Sequence, residues 1–307
     1  MKQIQTIALI GLGAVGTNFA YYLQQHLPTG ALRIVADKKR IERYKKEGCY
    51  YNEELCNFTY VSAEESMTPA DLVLICTKAN GLRAACELIK QHSDEHTLFM
   101  CAVNGITSEA VLAEYFNKQN IIYTVAQGMD ATKVGNRVEC QTIGELCFGA
   151  VNKEQLEAVK CIHEFFSDIA FPHTIKQDII HHQWGKFMLN CGLNQVVALH
   201  FGTYATIQRQ GAPRDQMLAA MKEVQQLSVC EGICLSEEEI LKWASMCDNL
   251  SASGRPSMAQ DVLAKRKTEV DLFANEVLKR SAKYQLECPV NAWLYDKLTA
   301  LESTFVD

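Results

Sequence analysis

The 307 residues, 48% hydrophobic and 21% charged, suffice for substantial globular cores, and the length favours two domains. A net charge of −6 argues against a nucleic-acid surface. No apolar run reaches the roughly 18 residues of a bilayer span, so no membrane partner is expected. Met1 leads directly into the first apolar run with nothing resembling a targeting peptide, and the expected location is cytoplasmic.

The 13 cysteines are odd in number and scattered, with no C-x-x-C pair, as buried reduced thiols in a cytosolic protein would be. Cys230 and Cys234 are spaced to share a helix face, and His181 and His182 are adjacent. Neither pair brings the further ligands of a metal site, so no metal is expected. Lys38-Lys39-Arg40 and Lys265-Arg266-Lys267 read as solvated basic faces.

The chain opens on Thr6-Ile-Ala-Leu-Ile-Gly-Leu-Gly-Ala-Val-Gly16, an apolar run ending in Gly11, Gly13 and Gly16 with G-x-G-x-x-G spacing. It reads as a buried strand, a tight turn and a helix whose pattern continues through Phe19, Tyr22 and Leu23. Gly11 permits the turn, Gly13 admits a pyrophosphate, and Gly16 lets helix and strand pack closely. The helix N-terminus, with Leu12, Ala14 and Val15 completing the loop, favours an anion. A second apolar run, 32–36, ends in Asp37, 21 residues beyond Gly16, where a carboxylate can hold the adenine ribose hydroxyls of NAD(H).

A charged helix is expected over 40–47, capped by Gly48, then a short strand at Tyr60-Val-Ser. The continuous apolar runs 71–77 and 98–103 suit the centre of a parallel sheet and deliver Lys78 and Asn104-Gly105 to its carboxyl edge, where ligands bind. A helix over 108–116, a strand at 121–125, antiparallel strands at 137–140 and 145–148, a helix over 154–166 and an extended piece at 171–175 complete a doubly wound α/β domain. From Asp178 onward the spacing is helical, over 179–199, 214–231, 237–246, 258–284 and 291–301, with Ser251-Ala-Ser-Gly-Arg-Pro256 as a loop. The expected architecture is a Rossmann-type doubly wound sheet over 1–175 that binds a dinucleotide, followed by an all-helical substrate-binding domain over 176–307.

Lys186, Asn190 and Asn194 recur at i, i+4 and i+8, within ~80° of arc on one helix face. One cation and two amides on so apolar a helix are costly to bury alone. A ligand carrying a carboxylate and a carbonyl satisfies them, and so does a polar seam bonded to neighbouring helices. Ser257, ahead of a helix, can offer a hydroxyl to an anion, and Glu269 follows three turns later, where a helical glutamate is by default solvated.

Together Gly11-x-Gly13-x-x-Gly16, Lys78, Asn104-Gly105, Trp184-Gly-Lys186-Phe with Asn190 and Asn194, and Ser257-Met-x-Gln-Asp261 with Thr268-Glu269-x-Asp271 resemble the ketopantoate reductase (2-dehydropantoate 2-reductase) family over nearly the whole chain. That resemblance implies NAD(P)H-dependent reduction of a 2-oxo acid, most directly ketopantoate to pantoate in pantothenate synthesis. By it Lys186 is the general acid and Glu269 assists it and the substrate hydroxyl. Asn190, Asn194 and Ser257 hold substrate, while Lys78 and Asn104 lie at the nicotinamide end of a cleft that excludes water. The family cofactor is NADP(H), and a homodimer is compatible with the likeness.

Three departures stand out. Asp37 occupies the place where the family commonly has an arginine for the 2′-phosphate. Gln195, Tyr204 and Ala205 replace a proline and a substrate-holding asparagine or glycine, and Ala274-Asn275 replaces Asn-Gly. A mandelate-type D-2-hydroxyacid dehydrogenase is therefore an alternative. A dinucleotide sensor without turnover is another, although such a protein is expected to have lost Lys186 or Glu269.

Overall fold

The computed structural model describes residues 3–305. Contacts divide the chain into two compact units, Met1–Ile179 and Ile180–Asp307.

The first unit runs β1 (Ile7–Ile10), α1 (Ala14–His26), β2 (Leu32–Ala36), α2 (Lys38–Glu47), β3 (Tyr50–Tyr51), β4 (Glu54–Leu55), β5 (Tyr60–Ser62), β6 (Leu72–Ile75) and α3 (Leu82–Ile89). It continues with β7 (Leu98–Cys101), α4 (Ser108–Leu112), β8 (Ile121–Gln127), β9 (Thr132–Val134), β10 (Arg137–Glu139), β11 (Glu145–Gly149), α5 (Leu156–Asp168) and β12 (His173–Ile175). Eight strands form the main sheet in the order β12-β11-β8-β7-β6-β1-β2-β5. From β5 to β8 the pairs are parallel, and β11 joins β8 antiparallel. The chain leaves β1 toward β2 and β5, then returns to β6 on the other side of β1, so the order reverses between β1 and β6. In open α/β sheets that reversal marks the ligand crevice.

The central strands are apolar throughout because both faces are covered. Ile7, Leu9, Ile34, Leu74 and Met100 share one interior with Phe19 and Leu23 of α1 and Ile162 and Phe166 of α5. Alternate residues point the other way, where Phe99 stacks on Phe116 with ring centroids 4.1 Å apart.

Sequence patterning misses a second sheet, β4-β3-β10-β9. Its strands are two or three residues long, too short for alternation to register. Asn52 and Glu53, at φ 44° and 71°, close the β3–β4 hairpin as a two-residue turn, although only the asparagine is a usual choice there. The strand expected at 137–140 belongs to this sheet, pairing antiparallel with β9 and parallel with β3.

The second unit, among its described residues, contains helices and no strand: α6 (Ile179–Leu199), α7 (Ala205–Gln208), α8 (Ala212–Cys230), α9 (Glu237–Asp248), α10 (Ser257–Leu263), α11 (Ala274–Ser281) and α12 (Pro289–Glu302). Phe187, Met188, Val196, Met217, Val224, Phe273, Val277, Leu294 and Leu298 form its interior.

Helix ends account for the remaining differences. α2 begins at Lys38 rather than 40, because the Asp37 carboxylate accepts the Arg40 N–H at 2.8 Å as an N-cap. α4 stops at Leu112, with turns through Phe116. The helix expected over 258–284 breaks after Leu263: Lys265 adopts φ 51°, and the Arg266 N–H turns back to the Asp261 carbonyl at 2.9 Å. A salt bridge from Arg266 Nε to Asp261 Oδ1 at 3.0 Å fixes the break, and apolar spacing does not signal such a contact. Cys230 ends α8 and Cys234 lies beyond it at φ 58°, so the two do not share a helix face. All 13 cysteines are free thiols, and only Cys230 and Cys234 are exposed.

Candidate functional site

In the first unit the glycine loop lies where the sheet order reverses. Gly11 sits at φ 102°, and a Cβ there would lie 2.7 Å from the Cys76 carbonyl carbon, so both conformation and space exclude a side chain. A Cβ on Gly16 would fall 1.8 Å from the Gly11 oxygen. Gly13 differs: the nearest atom to its notional Cβ is the Cys76 oxygen at 3.9 Å, and the residue is exposed. No described residue crowds a side chain at 13, whereas a pyrophosphate approaching the backbone would. Gly13 is also the N-cap of α1 and provides no side-chain cap, which leaves first-turn N–H groups for an anion. Thr77 Oγ1, at the adjoining end of β6, is buried without a hydrogen-bond partner among the described residues. An open cradle, an uncapped helix start and an orphaned hydroxyl fit a dinucleotide.

β1, β6 and β7 are neighbours in register, with Ile10 opposite Ile75 and Ile75 opposite Cys101. Gly11, Lys78 and Asn104 therefore leave the same carboxyl edge. Lys78 is exposed and caps a short turn, Ala79–Gly81, while Asn104 is half-buried before Gly105 at φ 91°. Asp37 leaves the end of β2, where its second oxygen lies 3.2 Å from the Arg40 guanidinium. Lys38 pairs instead with Glu64.

In the second unit the polar seam lies on α6. Lys186 is half-buried, Asn190 and Asn194 are buried, and Asn194 Nδ2 donates to Asn190 Oδ1 at 3.2 Å. The helix is tightly held: a Cβ on Gly192 would come within 2.7 Å of the Met217 carbonyl oxygen of α8. Gln195 is fully buried as a bracket, donating to the Cys191 oxygen at 2.7 Å and accepting the Ala274 N–H at 3.2 Å.

The departures at 195 and 274 thus meet in one hydrogen bond. Tyr204 and Ala205 donate from their backbones to Gly254 and Ala252, tying down the loop that leads to Ser257, which is exposed at the start of α10. Burial pushes the Tyr204 phenol up to about 12.

Glu269 is neither helical nor solvated, contrary to its expected place on a long helix. It lies in a bend between α10 and α11 and is only 9% accessible. Its carbonyl accepts the N–H groups of Leu272 and Phe273, and the preceding Thr268 N–H donates to Glu302 of α12 at 2.6 Å. Phe273 faces Phe187 of α6 at 6.5 Å between ring centroids, so the bend packs along the helix that carries Lys186. Sequence reasoning also missed Lys133 of β9, whose ammonium reaches the glycine loop at the Leu12 carbonyl.

A reversing parallel sheet with a glycine loop at its switch point, followed by a helical unit, defines a Rossmann-type dinucleotide-binding fold. Within that class the chain belongs to the ketopantoate reductase family: residues 7–153 match the model "Ketopantoate reductase PanE/ApbA", and 178–302 match "Ketopantoate reductase PanE/ApbA C terminal". It is 24% identical over 306 residues to a 2-dehydropantoate 2-reductase of Streptococcus pyogenes, covering 97% of this chain and 98% of that one. The enzyme of that name from Vibrio cholerae is also 24% identical, with the same coverage. Among solved structures, D-mandelate dehydrogenase with NADH and anilino(oxo)acetate superposes with TM-score 0.88 at 20% identity, over 98% of this chain and 99% of that one. A dimeric ketopantoate reductase from Staphylococcus aureus gives 0.81 at 21% identity, over 98% and 100%. At such identities the superpositions speak for the fold.

Proposed function

We propose that the protein reduces a 2-oxo acid to a 2-hydroxy acid, that ketopantoate is the substrate and pantoate the product, and that the reaction serves pantothenate synthesis in the cytoplasm. The observation that carries this reading is the polar seam of α6, a half-buried lysine and two buried asparagines on one face, beside a bend holding a buried glutamate. The first unit, read as a dinucleotide-binding domain over 1–175, holds the cofactor at Gly11–Gly16, with Asp37 on the adenine ribose and Lys78 and Asn104 toward the nicotinamide. The second, read as a substrate domain over 176–307, holds the oxo acid.

When bound, the reduced nicotinamide supplies the hydride. As negative charge builds on the ketone oxygen, the Lys186 ammonium stabilises it and donates a proton there. Asn190, Asn194 and Ser257 orient the carboxylate and carbonyl, and Glu269 accepts the substrate hydroxyl. Asp37 favours NADH over NADPH because a carboxylate accepts from ribose hydroxyls and repels a 2′-phosphate. A homodimer is part of the proposal, prompted by the dimeric neighbour.

The substitutions at Gln195, Tyr204, Ala205 and Ala274-Asn275 favour a second reading, a mandelate-type dehydrogenase on the same scaffold. Steady-state kinetics with ketopantoate and phenylglyoxylate, each with NADH and NADPH, tests both. Higher kcat/KM on ketopantoate supports the first reading, and higher kcat/KM on phenylglyoxylate replaces it with the second.

A further inference from the structure

The glycine loop is gripped from far along the chain. Lys133 follows Leu12 by 121 positions, and its ammonium donates to the Leu12 carbonyl oxygen at 2.5 Å. β9 places it there: Lys133 pairs opposite Val138, which is buried, within the small sheet that sequence patterning does not reveal. Two side chains of α1 fasten that sheet to the loop's own helix. The Tyr51 hydroxyl donates to Asn18 Oδ1 at 2.9 Å, and Thr17 Oγ1 lies 3.9 Å from Cys49 Sγ.

The Lys133 ammonium is partly withdrawn from water. Desolvation pulls the Lys133 pKa down and Arg43 adds to that, while the Cys49 and Cys56 sulfurs oppose it. A hydrogen bond from Cys56 holds the Cys49 thiol below its ordinary range against desolvation, with the Lys133 charge and the Thr17 hydroxyl helping. Removing a lysine ammonium from water is costly. Here the cost is met to hold a carbonyl that belongs to no strand or helix.

The geometry of the peptide shows what the grip accomplishes. The Leu12–Gly13 bond is planar and trans, as all peptide bonds of the described residues are, so its C=O and N–H point in opposite directions. Anchoring the Leu12 oxygen on Lys133 ties the negative end of that peptide to a cation. It also fixes the Gly13 N–H on the other edge.

We propose that Lys133 is a positioning residue for the dinucleotide: it sets the Leu12–Gly13 peptide so that the loop presents N–H rather than C=O to the pyrophosphate. The inference rests on the dinucleotide reading of the loop. Without Lys133 the peptide can rotate, and its carbonyl then opposes the anion.

The test compares wild type with Lys133→Met, Lys133→Arg and Lys133→Gln, each checked by circular dichroism and thermal melting before binding is measured. Dissociation constants for NADH and NADPH come from fluorescence titration. Lys133→Met is expected to weaken the better-bound dinucleotide tenfold or more, and Lys133→Arg to stay within threefold of wild type. In turnover the loss should fall on KM for the dinucleotide, with KM for the oxo acid unmoved, a split that general loosening of the fold does not produce. If the folded Lys133→Met protein binds within twofold of wild type, the inference fails; should that variant not fold, the same criterion applies to Lys133→Gln. A wild type that binds neither dinucleotide overturns the reading of the loop itself, an outcome distinct from equal binding by wild type and variant.

Discussion

Gly16 lies so close over Gly11 that a Cβ on the first would sit 1.8 Å from the carbonyl oxygen of the second. The two glycines weld the start of α1 to the turn after β1, and Gly13 between them contacts nothing that excludes a side chain.

That contrast separates a requirement of folding from a requirement of binding. Gly16→Ala forces backbone apart and is expected to destabilise the first unit by about 2 kcal/mol or more. Gly13→Ala should cost about 1 kcal/mol or less, the difference between glycine and alanine at an N-cap. The same Gly13→Ala protein should bind NADH or NADPH at least tenfold more weakly. Thermal melts paired with dinucleotide titrations check this, and unchanged binding by Gly13→Ala removes the pyrophosphate from that position.

Glu269 is buried in a bend beside α6, where it is proposed to meet a substrate hydroxyl or steady the proton donor. Glu269→Ala should lower kcat/KM for the hydroxylated oxo acid by about 2 kcal/mol or more, since the lost partner is charged and buried. The loss should be smaller for an oxo acid lacking that hydroxyl. Equal losses on both substrates would assign Glu269 to the packing of the bend alone.

Asp37 has two duties in the structure, as the cap of α2 and as the acid at the end of β2. Wild type is expected to show higher kcat/KM with NADH than with NADPH. Asp37→Ser keeps a capping oxygen and removes the charge, so it should shift the ratio toward NADPH at little cost in stability. Asp37→Arg should shift it further while losing a cap, typically about 1 kcal/mol. A wild-type enzyme that strongly prefers NADPH would show that Arg40, already paired with Asp37 at 3.2 Å, cancels the carboxylate.

Much of this molecule is legible in its residues, and the exceptions share a cause. The strand Leu72–Ile75, the helix Ile179–Leu199 and the glycine turn announce themselves because apolar periodicity and glycine spacing are local signals. Lys186, Asn190 and Asn194 share a face because the helix repeat alone puts them there. The break after Leu263 is set by Arg266 closing on Asp261, a contact that hydrophobic spacing does not encode. The burial of Glu269 follows from that break. Lys133 was invisible because its partner lies 121 residues away, across a sheet of strands too short to leave a pattern.

Lys186 is proposed to deliver a proton to the ketone of a 2-oxo acid as hydride arrives, and single-turnover and steady-state reduction of ketopantoate by wild type and Lys186→Ala measures this most directly. Wild type should consume reduced dinucleotide in step with ketopantoate. Lys186→Ala, folded and still binding dinucleotide, should lose ~10²-fold or more in kcat, the scale of general acid catalysis. A folded Lys186→Ala enzyme with near wild-type kcat would contradict the account.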